Sequence, residues 1–245
     1  MYAVFSVISF QKVKRAAPGG VGFTLDHFSP DATKDYLQTF DKAFENSNYG
    51  VRSFFNDSYE VYNADWTPDF KEEFRKRRGY DVSPFIKYLV SDKVNETTSR
   101  IKSDYRETMN DLILNHFTIN FTNWSHSKNS KNTNQAHGSP GNLLDLYAAV
   151  DIPESETFGS TKFDIPGLRQ ESSDVRNVDP DINMLKFASS AANVTGKPLI
   201  SNETFTWLTE HFKTSWSQAK PEVEQVFLSG INHVFYHGTT YSPAE

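Results

Sequence analysis

Cysteine is absent from the 245 residues, which excludes disulfides and thiolate metal sites while leaving a reducing cytoplasm and an oxidising periplasm equally open. No apolar run approaches the ~20 residues of a membrane-spanning helix. Residues 1–10 lack a basic stretch before their apolar part, so they read as an extended strand rather than a signal peptide. Concentrated positive charge is missing too. The net charge is −6, and the one basic run, Arg75-Lys76-Arg77-Arg78, falls at a predicted helix end, where cations favour the dipole. That composition gives no footprint for nucleic acid. Three motifs are also absent: the G-x-S-x-G elbow of serine hydrolases, the HExxH of zinc peptidases, and a phosphate loop after Pro18-Gly19-Gly20-Val21-Gly22. No organic cofactor is called for.

The length fits one barrel-sized domain of roughly 200 to 250 residues. Aromatic residues are abundant, with 20 Phe, 11 Tyr and 4 Trp. Most must be core, but such rings also pack against the C–H faces of sugars. Five short strand-like runs each close on polar, chemically capable residues: 51–60, 132–137, 148–156, 198–203 and 231–237. Helical patterning follows four of them. The expected helices cover 32–44, 70–79, 84–89, 97–124, 142–147, 182–194, 208–217 and 221–228, with a Gly- and polar-rich loop at 159–181. Strand-then-helix alternation predicts an α/β fold, a (β/α) TIM-like barrel with a parallel sheet. Only five units are visible where a closed barrel has eight, so a partial barrel from a larger multidomain enzyme is expected. Residues 1–50 would supply an opening strand, a Gly/Pro turn and the first helix, and residues 51–245 the segment that carries the active-site strand ends.

A parallel barrel gathers the carboxyl ends of its strands on one rim. Glu60 and Glu203 both follow β-rich runs, and two carboxyl groups flanking a glycosidic bond can divide the work of acid and base. Surface carboxylates at loop starts are the plain alternative. Asp151, Glu154 and Glu156 are expected at one strand end, where they could hold a hard cation such as calcium, bind sugar hydroxyls, or cap the next helix. His137 and His237 each close a strand and can hydrogen-bond hydroxyls or orient a carboxylate. His233 reads as structural.

Several blocks together resemble glycoside hydrolase family 106, the α-L-rhamnosidases. They are Gly22-Phe23-Thr24-Leu25-Asp26-His27-Phe28-Ser29, Asp57-Ser58-Tyr59-Glu60, Asp65-Trp66-Thr67-Pro68 and Arg77-Arg78-Gly79-Tyr80-Asp81. Further on come Asp151-Ile152-Pro153-Glu154-Ser155-Glu156, Lys186-Phe187-Ala188-Ser189-Ser190-Ala191-Ala192, Ser201-Asn202-Glu203-Thr204-Phe205-Thr206-Trp207 and Gly230-Ile231-Asn232-His233-Val234-Phe235-Tyr236-His237-Gly238. The resemblance implies an inverting hydrolase with a barrel catalytic domain, flanked by β-rich domains of a full-length enzyme, and a bacterial periplasmic or extracellular location. Glu60 and Glu203 would be the acid and base, their division of roles left open. Glu156 would approach the sugar or a calcium ion, with Glu154 the alternative match. Asp57, Tyr59, His137, Glu154, Glu156, Trp207 and His237 are the residues expected around a rhamnose-containing carbohydrate. A non-catalytic carbohydrate-binding or scaffold piece, and a retaining barrel glycosidase using the same glutamates, are the competing readings.

Overall fold

The structure, a computed structural model, describes residues 5–14, 16–47, 49–173, 175, 182–206 and 214–238. Five strands form one parallel sheet in sequential order: β1 (Ser53–Asn56), β2 (Lys131–Gln135), β3 (Ile152–Glu156), β4 (Ser201–Thr204) and β5 (His233–Tyr236). The helices are α1 (Pro30–Ala43), α2 (Phe70–Arg78), α3 (Ile86–Leu89), α4 (Glu96–Leu112), α5 (Ile119–Ser127), α6 (Leu143–Ala148), α7 (Ile182–Thr195) and α8 (Trp216–Leu228). The sheet curls strongly. Arg52, just before β1, brings its guanidinium within 3.5 Å of the His233 imidazole at the start of β5. Four strand steps of ~4.8 Å would put those strands about 19 Å apart in a flat sheet. The result is a half-barrel, an α/β arrangement of five strands among the described residues.

Its convex face is aromatic. Phe54 of β1 packs on Trp124 of α5 at 4.7 Å between ring centres and on Phe44 at 5.1 Å, and the row continues through Phe121 and Phe117 to Tyr59. Phe70, Phe74, Val82, Leu112, Leu146, Leu185 and Val226 complete the core beneath the helices. α1 starts where Ser29 Oγ accepts from the Ala32 amide and Pro30 takes a position whose missing N–H costs nothing. α2 ends on Gly79 at φ 81°, a conformation that glycine adopts freely.

Strand β2 reads Lys-Asn-Thr-Asn-Gln, a poor strand by propensity, yet four of its five residues are buried. Each buried side chain finds at least one hydrogen-bond partner, although Asn134 Nδ2 and Gln135 Oε1 stay unpaired. Asn132 accepts from the Asp151 amide at 3.0 Å and donates to Thr122 of α5 at 2.9 Å. Thr133 meets Ser53 at 2.7 Å, and Asn134 accepts from Asn56 at 2.6 Å. Buried polar groups are tolerable only when paired, and here the pairs also lock β2 against β1, β3 and α5.

Several expectations change. Residues 5–11 form no strand, and the N-terminal segment makes only an isolated bridge between Lys12 and Phe23. Phe5, Val7, Ile8 and Phe10 are exposed, so these apolar side chains join no sheet among the described residues. The expected 97–124 helix is a continuous rod interrupted by a π segment at Ile113–Thr118, which carries Phe117 against His27 and Tyr59. α8 begins at Trp216 and not at Pro221: Ser215 caps it by accepting from the Gln218 amide, and the proline lies inside the helix. The expected 208–217 helix falls mostly on residues outside the described set. The basic run is only partly solvated, since Arg78 bridges α2 to α4 through Glu107 and Asp111.

Replacing Asn132 with Ala leaves the Asp151 amide and the Thr122 hydroxyl without their partner inside the core. Urea unfolding of the full-length protein should show a loss of about 2–4 kcal/mol. Val94→Ala, at a fully exposed position, serves as the control and should stay within about 0.5 kcal/mol. An Asn132→Ala loss no larger than the control would mean that the amide does not hold β2 in place.

Candidate active site

Residues two apart on a strand share a face, and the parallel register therefore aligns side chains into rows. Gln135 of β2, Glu154 of β3 and Ser201 of β4 are consecutive partners in one row, and Glu156 and Glu203 are partners in the next, nearer the carboxyl rim. Gln135 Nε2 donates to both carboxyl groups, to Glu154 Oε1 at 3.1 Å and to Glu203 Oε2 at 2.6 Å. Ser201 Oγ reaches the other Glu154 oxygen at 2.5 Å, and Thr206 Oγ1 donates to Glu203 Oε1 at 3.1 Å. His137 Nε2 lies 2.8 Å from Glu156 Oε2, and His237 Nε2 lies 3.6 Å from Glu203 Oε1.

Access separates Glu154 from Glu203. Glu154 is 2% exposed with both oxygens engaged, so it cannot reach a sugar. Glu203 keeps 14% of its side chain open at the rim. Burial pushes the Glu154 carboxyl up to about 7, helped by the charges of Glu203 and Asp57 and opposed by the Ser201 and Gln135 hydrogen bonds. Burial also raises Glu203, with Glu156 and Asp57 adding to the effect and Gln135 and Thr206 acting against it. Carboxyl groups held this way favour their protonated forms, the condition a general acid needs.

The other expected residues are distributed as follows. Glu60 is not at a strand end. β1 stops at Asn56, whose side-chain amide turns to the Asp57 carbonyl at 3.0 Å and to Asn134, and Glu60 follows in the loop. That loop is tied to the same rim by the Tyr59 amide, which donates to the His137 carbonyl at 3.2 Å. The approach is close enough that a Cβ at Gly138 would come within 2.8 Å of the Tyr59 carbonyl oxygen. Glu60 itself is half-exposed, and Lys14 Nζ lies 2.7 Å from its Oε1. Asp57 is exposed beside the cluster, its Oδ1 accepting from the Ser58 amide at 2.7 Å.

Tyr59 is a core residue, 2% exposed and packed against His27 and Phe117, so the expectation that it touches substrate is corrected. Asp151 precedes β3 and so sits at the amino end of the sheet, bonded to His126 and to the Asn132 amide. It cannot join Glu154 and Glu156 at the rim. Glu156 engages His137, and among the described residues no three acidic or imidazole side chains are placed to hold a metal ion. Trp207 lies outside the described residues. Gln135, which joins two carboxyl groups, was not singled out by sequence reasoning; its place in the run that closes on His137 was the available signal.

The raised Glu154 links stability to pH. A carboxyl whose folded pKa exceeds its unfolded value stabilises fully below the unfolded value and loses that contribution as pH rises through the folded one. Between 4.5 and about 7 the parental protein should therefore lose about 3 kcal/mol on this account. Glu154→Gln mimics the protonated acid, with its amide nitrogen facing Ser201. It should match the parent within about 1 kcal/mol at pH 5 and exceed it by up to about 3 kcal/mol at pH 8.5. Urea midpoints at the two pH values test this, and an identical difference at both would show that Glu154 does not titrate in this range.

Comparison with known proteins follows the same lines. A solved rhamnosidase from Novosphingobium sp. superimposes with a TM-score of 0.74 over 96% of this chain and 22% of that one, at 24% identity, and shares the fold. A protein of Formosa agariphila, provisionally named a beta-glucuronidase, is 25% identical over 241 residues, 93% of this chain and 19% of its own length. The chain thus spans about a fifth of the length of each. The sequence profile of glycoside hydrolase family 106, described as alpha-L-rhamnosidase, matches residues 6–245. With that match running through every strand of the half-barrel, the chain belongs to glycoside hydrolase family 106.

Proposed function

We propose that the chain carries the reactive rim of a glycoside hydrolase that removes terminal α-L-rhamnose from polysaccharide or glycoside with inversion. The observation that carries this reading is Glu203, a raised and partly accessible carboxyl at the strand ends, backed by Gln135 and flanked by Glu156, His137 and His237. Glu203 in its protonated form gives its proton to the glycosidic oxygen as the C1–O bond breaks. Water adds to the anomeric carbon from the opposite face and gives up its proton to Glu60, which lies open to solvent on the loop after β1. Asp57, Glu156, His137 and His237 supply acceptors and donors for the sugar hydroxyls. No step is routed through calcium.

A neutral deoxysugar suits this rim better than a uronate does. The partners of Glu154, Glu156 and Glu203 are amide, hydroxyl and imidazole groups, which leave a substrate carboxylate facing net negative charge. One observation favours a retaining mechanism instead. Glu156 and Glu203 are direct register partners on neighbouring strands, whose backbones run ~4.8 Å apart, and a carboxyl pair about 5 Å apart is what a retaining site uses where an inverting one needs roughly 6.5–9.5 Å. Proton NMR of the first-formed sugar separates the two. Inversion releases β-rhamnose from an α-linked substrate, and initial α-rhamnose would transfer the second role to Glu156.

Glu203→Gln and Glu60→Gln in the full-length protein should each lower hydrolysis of an alkyl rhamnoside by about 10²- to 10⁴-fold while sugar binding largely survives. A nitrophenyl leaving group needs little protonation, so it should restore turnover to the Glu203 variant and not to the Glu60 variant. Near-parental turnover in both would remove the catalytic assignment and leave a carbohydrate-binding module.

A further inference from the structure

The Gln135 side chain is fully buried, yet its amide carries an imbalance. Nε2 donates to Glu154 and Glu203, while Oε1 is enclosed and makes no hydrogen bond. An unpaired buried carbonyl is costly, and turning the amide over would set that oxygen against two carboxyl oxygens. The orientation is therefore decided by the two acceptors. A side chain held at such cost, at the point where two strands' carboxyl groups converge, does more than fill space.

We propose that Gln135 is a positioning residue, its amide holding the Glu203 carboxyl against the buried Glu154 so that the reactive oxygen stays aimed at the rim. The proposal rests on the assignment of Glu203 as the acid. The two hydrogens of Nε2 are spent one on each carboxyl, so the amide fixes one oxygen of Glu203 and leaves Oε1 to Thr206 and to the space beside His237. The same donation favours the ionised form of both groups and limits how far burial raises them. The charged and titratable groups around Glu203 are Glu154 and Glu156 from β3, Asp57 after β1 and His237 after β5, with His137 after β2 paired to Glu156. Gln135 is the neutral group that touches two of these carboxyls at once.

Gln135→Met preserves volume and removes both donors. Gln135→Asn keeps an amide but is one methylene shorter, so it reaches at most one carboxyl. Both are assayed in the full-length protein on an alkyl rhamnoside across pH, with folding checked by circular dichroism. In Gln135→Met, kcat should fall about 10- to 100-fold with KM within about threefold, and the alkaline limb set by Glu203 should move to higher pH. Gln135→Asn should show a smaller shift in the same direction. An alkaline limb unmoved in both folded variants overturns the proposal, as does failure of both to fold, which would make Gln135 a packing residue. The parallel Glu203→Gln variant keeps the two readings apart. If it is inactive while the Gln135 limb does not move, only the positioning role falls; if it is active, the acid assignment falls and takes the positioning role with it.

Discussion

One register runs through all five parallel strands, and that register gives each strand glutamate of the site its neighbour. Glu154 lies between Gln135 and Ser201, and Glu156 lies beside Glu203, because each strand pair keeps the same alignment. A slip of one residue in β3 would turn both glutamates toward the helices and bring Pro153 and Ser155 to the concave face. The polar pairing in β2 prevents such a slip. Asn132 binds the backbone on the near side of β3 and α5 beneath, so the strand that presents Gln135 is fixed at its far end by an amide of its own.

The two faces of the half-barrel have opposite chemistry, and the contrast is energetic as well as spatial. On the convex side, rings from β1, α5 and the π segment bury apolar area, which is the favourable side of the balance. On the concave side, carboxyl groups lose water and meet each other with amide and hydroxyl donors between them, which disfavours their charged forms. Paired Arg or Lys would relieve that repulsion. It would also favour the ionised form of Glu203, so amide and hydroxyl partners leave its carboxyl raised at the expense of stability.

Much of this was legible in the sequence, and the parts that were not fail for identifiable reasons. The five runs located all five strands because each is short and bounded by turn-forming residues. Their ends were overrun, since the Asn56 amide that stops β1 looks like any other strand polar residue until its partners Asn134 and Asp57 are seen. Asp151 was placed at the wrong end of β3 by the apolar run Ala148-Ala149-Val150 before it, which ends α6 and turns into the strand. Pro221 reads as a helix start by local rule, but Ser215 supplies the actual cap. Residues 5–10 are an apolar-rich run that reads as a strand, but apolar content alone cannot say whether a partner edge exists.

The site itself divides along the same line. Carboxylates and histidines announce their chemistry by type, so Glu154, Glu156, Glu203, His137 and His237 were within reach of sequence reasoning. Tyr59 and Gln135 were not, because both depend on which side of a strand or loop a residue finally occupies. Tyr59 belongs to a block of catalytic appearance and turns inward against His27 and Phe117. Gln135 has no acid-base chemistry of its own and acquires importance only when two carboxyl groups from other strands arrive at its nitrogen. The association of Glu60 with Lys14, across 46 positions of sequence, has the same character. Residue type declares which groups can react, but burial and long-range pairing decide which of them are free to do so. In this half-barrel that distinction leaves Glu203 open at the rim and encloses Glu154 behind it.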